Sequence, residues 1–145
     1  MQPLPHLYHV SVESAAEGDV TVAAQGLPSF AAASPREFDG PGDRWSPEFL
    51  LCSAAAACFI LTFRAVARAS KFEWRHLGCH VEGTLERKDG STLFTRISTQ
   101  AVLRIGPEAD KDLAQRLLEK AERGCLIANS LKAERVLTTE IQSAP

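Results

Sequence analysis

The sequence predicts an α+β fold, mostly antiparallel strands around one long buried helix, and three observations carry that expectation. An apolar run, residues 49 to 63, lies directly behind a helix-start signal. Two strand-like segments flank Asp89-Gly90, the strongest two-residue hairpin signal in the chain. Alternating segments open and close the chain, so strands, helix, hairpin, helix and strand follow in that order.

Each element has a local reason. In "HLYHVSVES" alternation places Tyr8, Val10 and Val12 on one face, and "DVTVAAQ" forms a second strand after the turn signal Glu17-Gly18-Asp19. A third, weaker strand covers residues 29 to 33. Residues 34 to 45, "SPREFDGPGDRW", are a loop built on two Pro and two Gly. Ser46 is a good N-cap, Pro47 suits the first helical position and Glu48 complements the positive end of the helix dipole. The helix is expected to run to about Ser70, with Arg64 and Arg68 near its end. A helix apolar all round is expected to be buried on all sides; one small domain hardly encloses it, and a second subunit would. Residues 72 to 105 form the hairpin, and "ERKDGS" is its solvated tip. An amphipathic helix follows over residues 108 to 123, with Leu113, Ala114, Leu117, Leu118 and Ala121 on one stripe and Gly124 ending or bending it. "ERVLTTEIQS" is the last strand.

Composition narrows the function. A chain of 145 residues suits one domain with a workable core, so a single domain over residues 1 to 145 is expected. The net charge is −2, with Lys and Arg scattered among acids, which speaks against nucleic acid as a partner. The apolar run is shorter than the ~20 residues of a membrane span. "MQPLPHLYHV" has no basic region followed by an apolar block, so no signal peptide and no membrane partner are expected, and the expected location is cytoplasmic.

Four cysteines stand at 52, 58, 79 and 125, none in the close pairs that zinc sites use, so no metal is expected. In a reducing cytosol permanent disulfides are not expected either, which leaves a redox-cycling pair open. Cys52 and Cys58 would lie about 240° apart around a helix and cannot bond to each other. Taken alone, Cys58 reads as a packing cysteine, because burial among apolar neighbours makes a thiol inert. Cys52 and Cys79 read the same way. His6, His9, His76 and His80 have no ligand partners at useful spacing.

Two segments change the reading of Cys58. "SPEFLLCSAAAACF" and "AERGCLIANSL" together resemble the OsmC/Ohr superfamily, the osmotically inducible and organic-hydroperoxide-resistance proteins. The first carries Ser-Pro-Glu-x-Leu and, ten residues after Glu48, an Ala-rich stretch ending in Cys58-Phe59. The second places Cys125 after an amphipathic helix, with Ala121-Glu122 before it and Asn129-Ser130-Leu131 after it. The resemblance implies an OsmC-like fold as an intertwined homodimer, and a thiol-dependent peroxidase acting on organic hydroperoxides. Cys58 is then the peroxidatic nucleophile, Cys125 the resolving thiol, and Glu48 a carboxylate of the same site. No bound cofactor is implied; an external dithiol reductant, lipoyl-type or other, restores the pair.

The chain departs from the peroxidase branch at two places. Residues 1 to 35 contain no Arg or Lys, where that branch keeps an activating arginine, so Arg36 and Arg44 are the first basic candidates. Leu126 stands where the family has Pro. The alternative reading is a non-catalytic member binding a small apolar ligand at the dimer interface; a thiol-based redox sensor is a third. Glu48 and Cys58 lie ~15 Å apart along a straight helix. Glu48 is therefore expected to serve the Cys58 site across a dimer interface or through an intervening arginine.

Overall fold

A computed structural model describes residues 1–145, which divide into two compact units, residues 1–50 and 51–145. In the first unit three short strands, β1 (Ser11–Ser14), β2 (Val20–Ala23) and β3 (Phe30–Ala32), form an antiparallel sheet in that order. The first strand is shorter than its alternation predicts: Tyr8 and Val10 precede it, and Tyr8, Val10 and Val12 are all exposed. Alternation marks a face fit for burial, but β2 offers only four partner positions and nothing in this unit covers that face. The only buried residues of the unit are Ala32, Pro35 and Ser46. The expected loop contains a 3-10 turn, Arg36–Phe38, closed by the Gly40 N–H donating to the Pro35 carbonyl at 2.9 Å. A Cβ at Gly40 would lie 1.6 Å from the Ser34 carbonyl oxygen, so no other residue fits there.

Helix α1 spans Pro47–Ala69 and starts as its sequence dictates. The Ser46 hydroxyl, fully buried, accepts from the Phe49 N–H at 3.2 Å, and Arg68 sits in the last turn. Burial within one chain is one-sided. Within one chain only Ala55, Phe59, Phe63 and Ala67, one stripe at four-residue spacing, are buried, while Phe49 and Leu61 remain 59% and 58% exposed. A single chain supplies a core against one face only. Helix α1 has 23 residues and an 18-residue stretch of mean hydropathy 2.0, so it also meets the length and composition of a membrane span. The shorter apolar run misled on that point, because the helix continues past Phe63 and includes Arg64 and Arg68. Its buried stripe is that of a core helix.

In the second unit β4 (His76–Lys88) and β5 (Ser91–Ile105) form the expected hairpin. Asp89 and Gly90 take φ of 51° and 80°, as a type I′ turn requires, and Lys88 pairs with Ser91 across it. The chain then crosses over through α2 (Lys111–Gly124), and β6 (Glu134–Ser143) pairs with β5 in parallel. Helix α2 begins three residues later than periodicity alone predicts, because the Asp110 carboxylate caps it, accepting from the Leu113 N–H at 2.9 Å. Its predicted stripe is buried at Ala114, Leu117, Leu118 and Ala121, with Leu113 packed at the margin. A four-residue helix, α3 (Leu126–Asn129), follows at once where the sequence reads only as a connector.

The main core joins Phe59 and Phe63 of α1, Leu103 and Ile105 of β5, and Leu117 and Leu118 of α2. Each such side chain contributes about 1.5–3 kcal/mol on burial. Trp74 closes one end, edge-on to Phe63 at 5.4 Å. A second cluster, Ala55, Ile97 and Ala133, lies beside it. At Gly83 the backbone of β4 comes so close to α1 that a Cβ would sit 2.7 Å from the Cys52 sulfur. Cys52 is thus a packing residue against this strand.

Candidate functional site

The crossover through α2 returns the chain so that Cys125, between α2 and α3, meets Cys58 at the start of the fourth turn of α1. Cys125 lies sixty-seven positions after Cys58 in sequence. All four cysteines are free thiols; Cys125 is 1% exposed and Cys58 half-buried. The Cys125 thiol points back to α1, within 3.8 Å of the Ala55 carbonyl oxygen and within hydrogen-bonding reach of the Cys58 sulfur.

The two thiols are driven in opposite directions. Burial pushes Cys58 up, but the Ile127 N–H, the Cys125 thiol, the Thr62 hydroxyl and the Leu126 N–H together bring it below the ordinary thiol value. The Thr62 hydroxyl lies 4.0 Å from the Cys58 sulfur, yet it donates its one proton to the Cys58 carbonyl at 2.7 Å. The Cys125 thiol likewise directs its one proton at the Ala55 carbonyl, so the two amides carry most of the effect. Cys125 moves the other way: burial raises it, and the Cys58 and Glu122 charges add to that against the Ala128 N–H. Cys79, on β4, is pushed up to about 11 by burial and by the neighbouring Glu122 and Cys125. This gradient separates a thiol prepared to ionise from two that hold their protons.

The groups that lower Cys58 are all uncharged. Of the candidate arginines, Arg44 is engaged with Asp19 at 2.9 Å and Asp43 at 3.3 Å, while Arg36 lies over Gly42. Neither pairs with Glu48. Glu48 stands in the first turn of α1 and lines a cavity of about 240 Å³ with Val20, Ser34 and Phe38. Its Oε2 is buried without a hydrogen-bond partner. No group of three or more His, Cys, Asp or Glu side chains is arranged to hold a metal ion. His76 and His80 both stand exposed on β4.

Residues 40–140 match the sequence model of a family described as OsmC-like protein. The chain belongs to the OsmC-like family. Among curated relatives it is 31% identical over 109 residues to the uncharacterized protein YmaD of Bacillus subtilis, covering 73% of each chain. It is 26% identical over 98 residues to peroxiredoxin OsmC of Escherichia coli, covering 68% of each. A solved organic hydroperoxide resistance protein OsmC from Legionella pneumophila shares the fold at a TM-score of 0.75 and 22% identity, over 97% of this chain and 99% of that one. The OsmC-like α+β fold expected from the sequence is thereby established.

Several residues around the thiol pair escape a reading of the sequence. Thr62 follows Cys58 by four residues, a spacing that places it on the same helix face, so it was findable. The Leu126 and Ile127 amides were not, since every residue but Pro carries an N–H. The one legible trace is Leu126 itself, standing where a Pro would remove that donor.

Proposed function

We propose that this OsmC-like protein is a thiol-dependent peroxidase reducing organic hydroperoxides through a Cys58 sulfenate and a Cys58–Cys125 disulfide. The observation that supports this reading is the pairing of a Cys58 thiol lowered by two amides with a Cys125 thiol held protonated beside it. The Cys58 thiolate attacks one peroxide oxygen; the O–O bond breaks, the sulfur is oxidised to sulfenic acid, and the alcohol leaves after taking up a proton. The Cys125 sulfur then displaces the sulfenic hydroxyl as water, and an external dithiol reduces the resulting disulfide by two exchange steps. Leu61 and Leu126, 58% and 65% exposed near Cys58, suit an organic rather than an inorganic peroxide.

The uncovered face of α1 supports a homodimer as the working state. Glu48 belongs to the site only through such a partner or through a bridging cation, since its own helix sets it ten residues before Cys58. A dimer structure with every Glu48 carboxylate farther than about 12 Å from every Cys58 sulfur, well short of the ~15 Å rise within one helix, leaves Glu48 only its place at the positive end of the helix dipole.

Stopped-flow consumption of cumene hydroperoxide with a dithiol donor tests the reading. Cys58→Ser is expected to lower the rate at least ~100-fold, because a hydroxyl is not ionised at neutral pH. Cys125→Ser is expected to permit one turnover and leave the sulfenate trapped. Equal rates for wild type and Cys58→Ser overturn the peroxidase reading in favour of a non-catalytic protein binding a small apolar ligand at the dimer interface.

A further inference from the structure

A single guanidinium fastens both flanks of Cys125. Arg135, near the start of β6, donates from Nε to Glu122 Oε1 at 2.8 Å and from Nη2 to the Glu122 carbonyl. Its Nη1 donates to Asn129 Oδ1 at 2.5 Å. Glu122 is three residues before Cys125 and Asn129 four after it. The Asn129 amide in turn donates to the Arg123 carbonyl at 3.2 Å, and its N–H to the Cys125 carbonyl at 2.9 Å. The ion pair is well sheltered, with side-chain exposures of 24% for Arg135 and 16% for Glu122. Sheltered charges are kept only when paired and hydrogen-bonded, and a planar fork with five donors does this in a way an ammonium does not.

We infer that Arg135 is a positioning residue for the thiol pair: by clamping Glu122 and Asn129 to β6 it holds the Cys125 thiol and the Leu126 and Ile127 amides against Cys58. Helix α3 is only four residues long and cannot persist by its own hydrogen bonds; burial of Cys125 and Ala128 seats it, and the Arg135 fork ties the residues on either side of Cys125 to β6. The clamp also neutralises Glu122, the carboxylate whose charge reaches Cys125 and Cys79. The titratable groups facing the pair are therefore Glu122 from α2 and Cys79 from β4, with Arg135 of β6 acting through Glu122. The inference rests on the dithiol reading for its bearing on turnover, but its test needs no peroxide.

The test is alkylation of Cys58 by iodoacetamide, read site by site by mass spectrometry across a pH series on the full chain. Arg135→Met is expected to raise the apparent Cys58 pKa by about one unit, a loss of roughly tenfold in thiolate well below that pKa. Arg135→Lys keeps the charge but not the fork and should recover less than about half of that shift. Asn129→Ala opens one side of the clamp and should move Cys58 the same way by less. An unchanged Cys58 profile in a folded Arg135→Met protein overturns the inference. Should that variant fail to fold, unchanged profiles in both Arg135→Lys and Asn129→Ala overturn it equally. A wild type that consumes no hydroperoxide while Arg135→Met still shifts the alkylation profile removes the peroxidase reading and leaves the clamp standing.

Discussion

The two units of this chain use similar strand sequences and reach different ends. Residues 1–50 place three strands in a sheet yet bury only Ala32, Pro35 and Ser46, none of them a large apolar side chain. Residues 51–145 back their sheet with α1 and α2 and enclose Phe59, Phe63, Leu103, Ile105 and Leu118 completely or nearly so. Alternation makes a strand in both; a second layer makes a core in only one. The same contrast appears in two carboxylates. Glu122 has its charge met by Arg135 and a defined task in the fold, whereas Glu48 carries a buried oxygen that nothing in the chain satisfies. The first unit has the marks of a structure finished by another chain, in keeping with the dimer proposed above.

Substitutions can break or sharpen that contrast. The largest expected effect is Phe63→Ala, which removes a fully buried ring and should cost about 3–5 kcal/mol in denaturant unfolding. Val12→Ala, its counterpart on the exposed face of β1, should cost less than ~0.5 kcal/mol within the chain. Any cost beyond that should appear as weakened self-association in sedimentation. Equal losses at the two positions would erase the contrast.

Ser46→Ala lies between these extremes. It removes the hydroxyl that caps α1, and about 1 kcal/mol is expected, read as a shift of the unfolding midpoint. Ser46→Asn should restore most of it, since either side chain can accept from the Phe49 N–H.

A last effect is a pH dependence confined to the second unit. Cys79 has its folded pKa raised to about 11, so the folded state holds a proton that the unfolded thiol releases near ~8.5. Its contribution to stability is complete below that lower value and is lost as pH rises toward 11. Melting temperature should therefore decline over this window, and Cys79→Ala should flatten the decline. A slope unaffected by that substitution would assign it to other groups.

Much of the fold was legible because its signals are local. The cap at Ser46, the turn at Asp89-Gly90, the stripe of α2 and the extent of β6 each depend on a few adjacent residues, and all appear where those residues place them. Cys58 and Cys125 could be singled out as a pair only by family resemblance, since nothing between them in sequence announces a contact. The first strand is shorter than its alternation suggests, and a single chain covers only one face of α1, for one reason. Hydropathy states what a face tolerates, while burial depends on whether another layer arrives to cover it.

By itself, then, the sequence determined the main elements and their order, and its resemblance to a family singled out Cys58 and Cys125 as candidates. Tertiary structure decided what the thiols face. The Leu126 and Ile127 amides reach Cys58 only because α2 crosses over β5, β6 pairs in parallel, and Arg135 ties Glu122 and Asn129 to that strand. Backbone N–H groups look alike in every sequence, and only the path of the chain brings two of them to one sulfur.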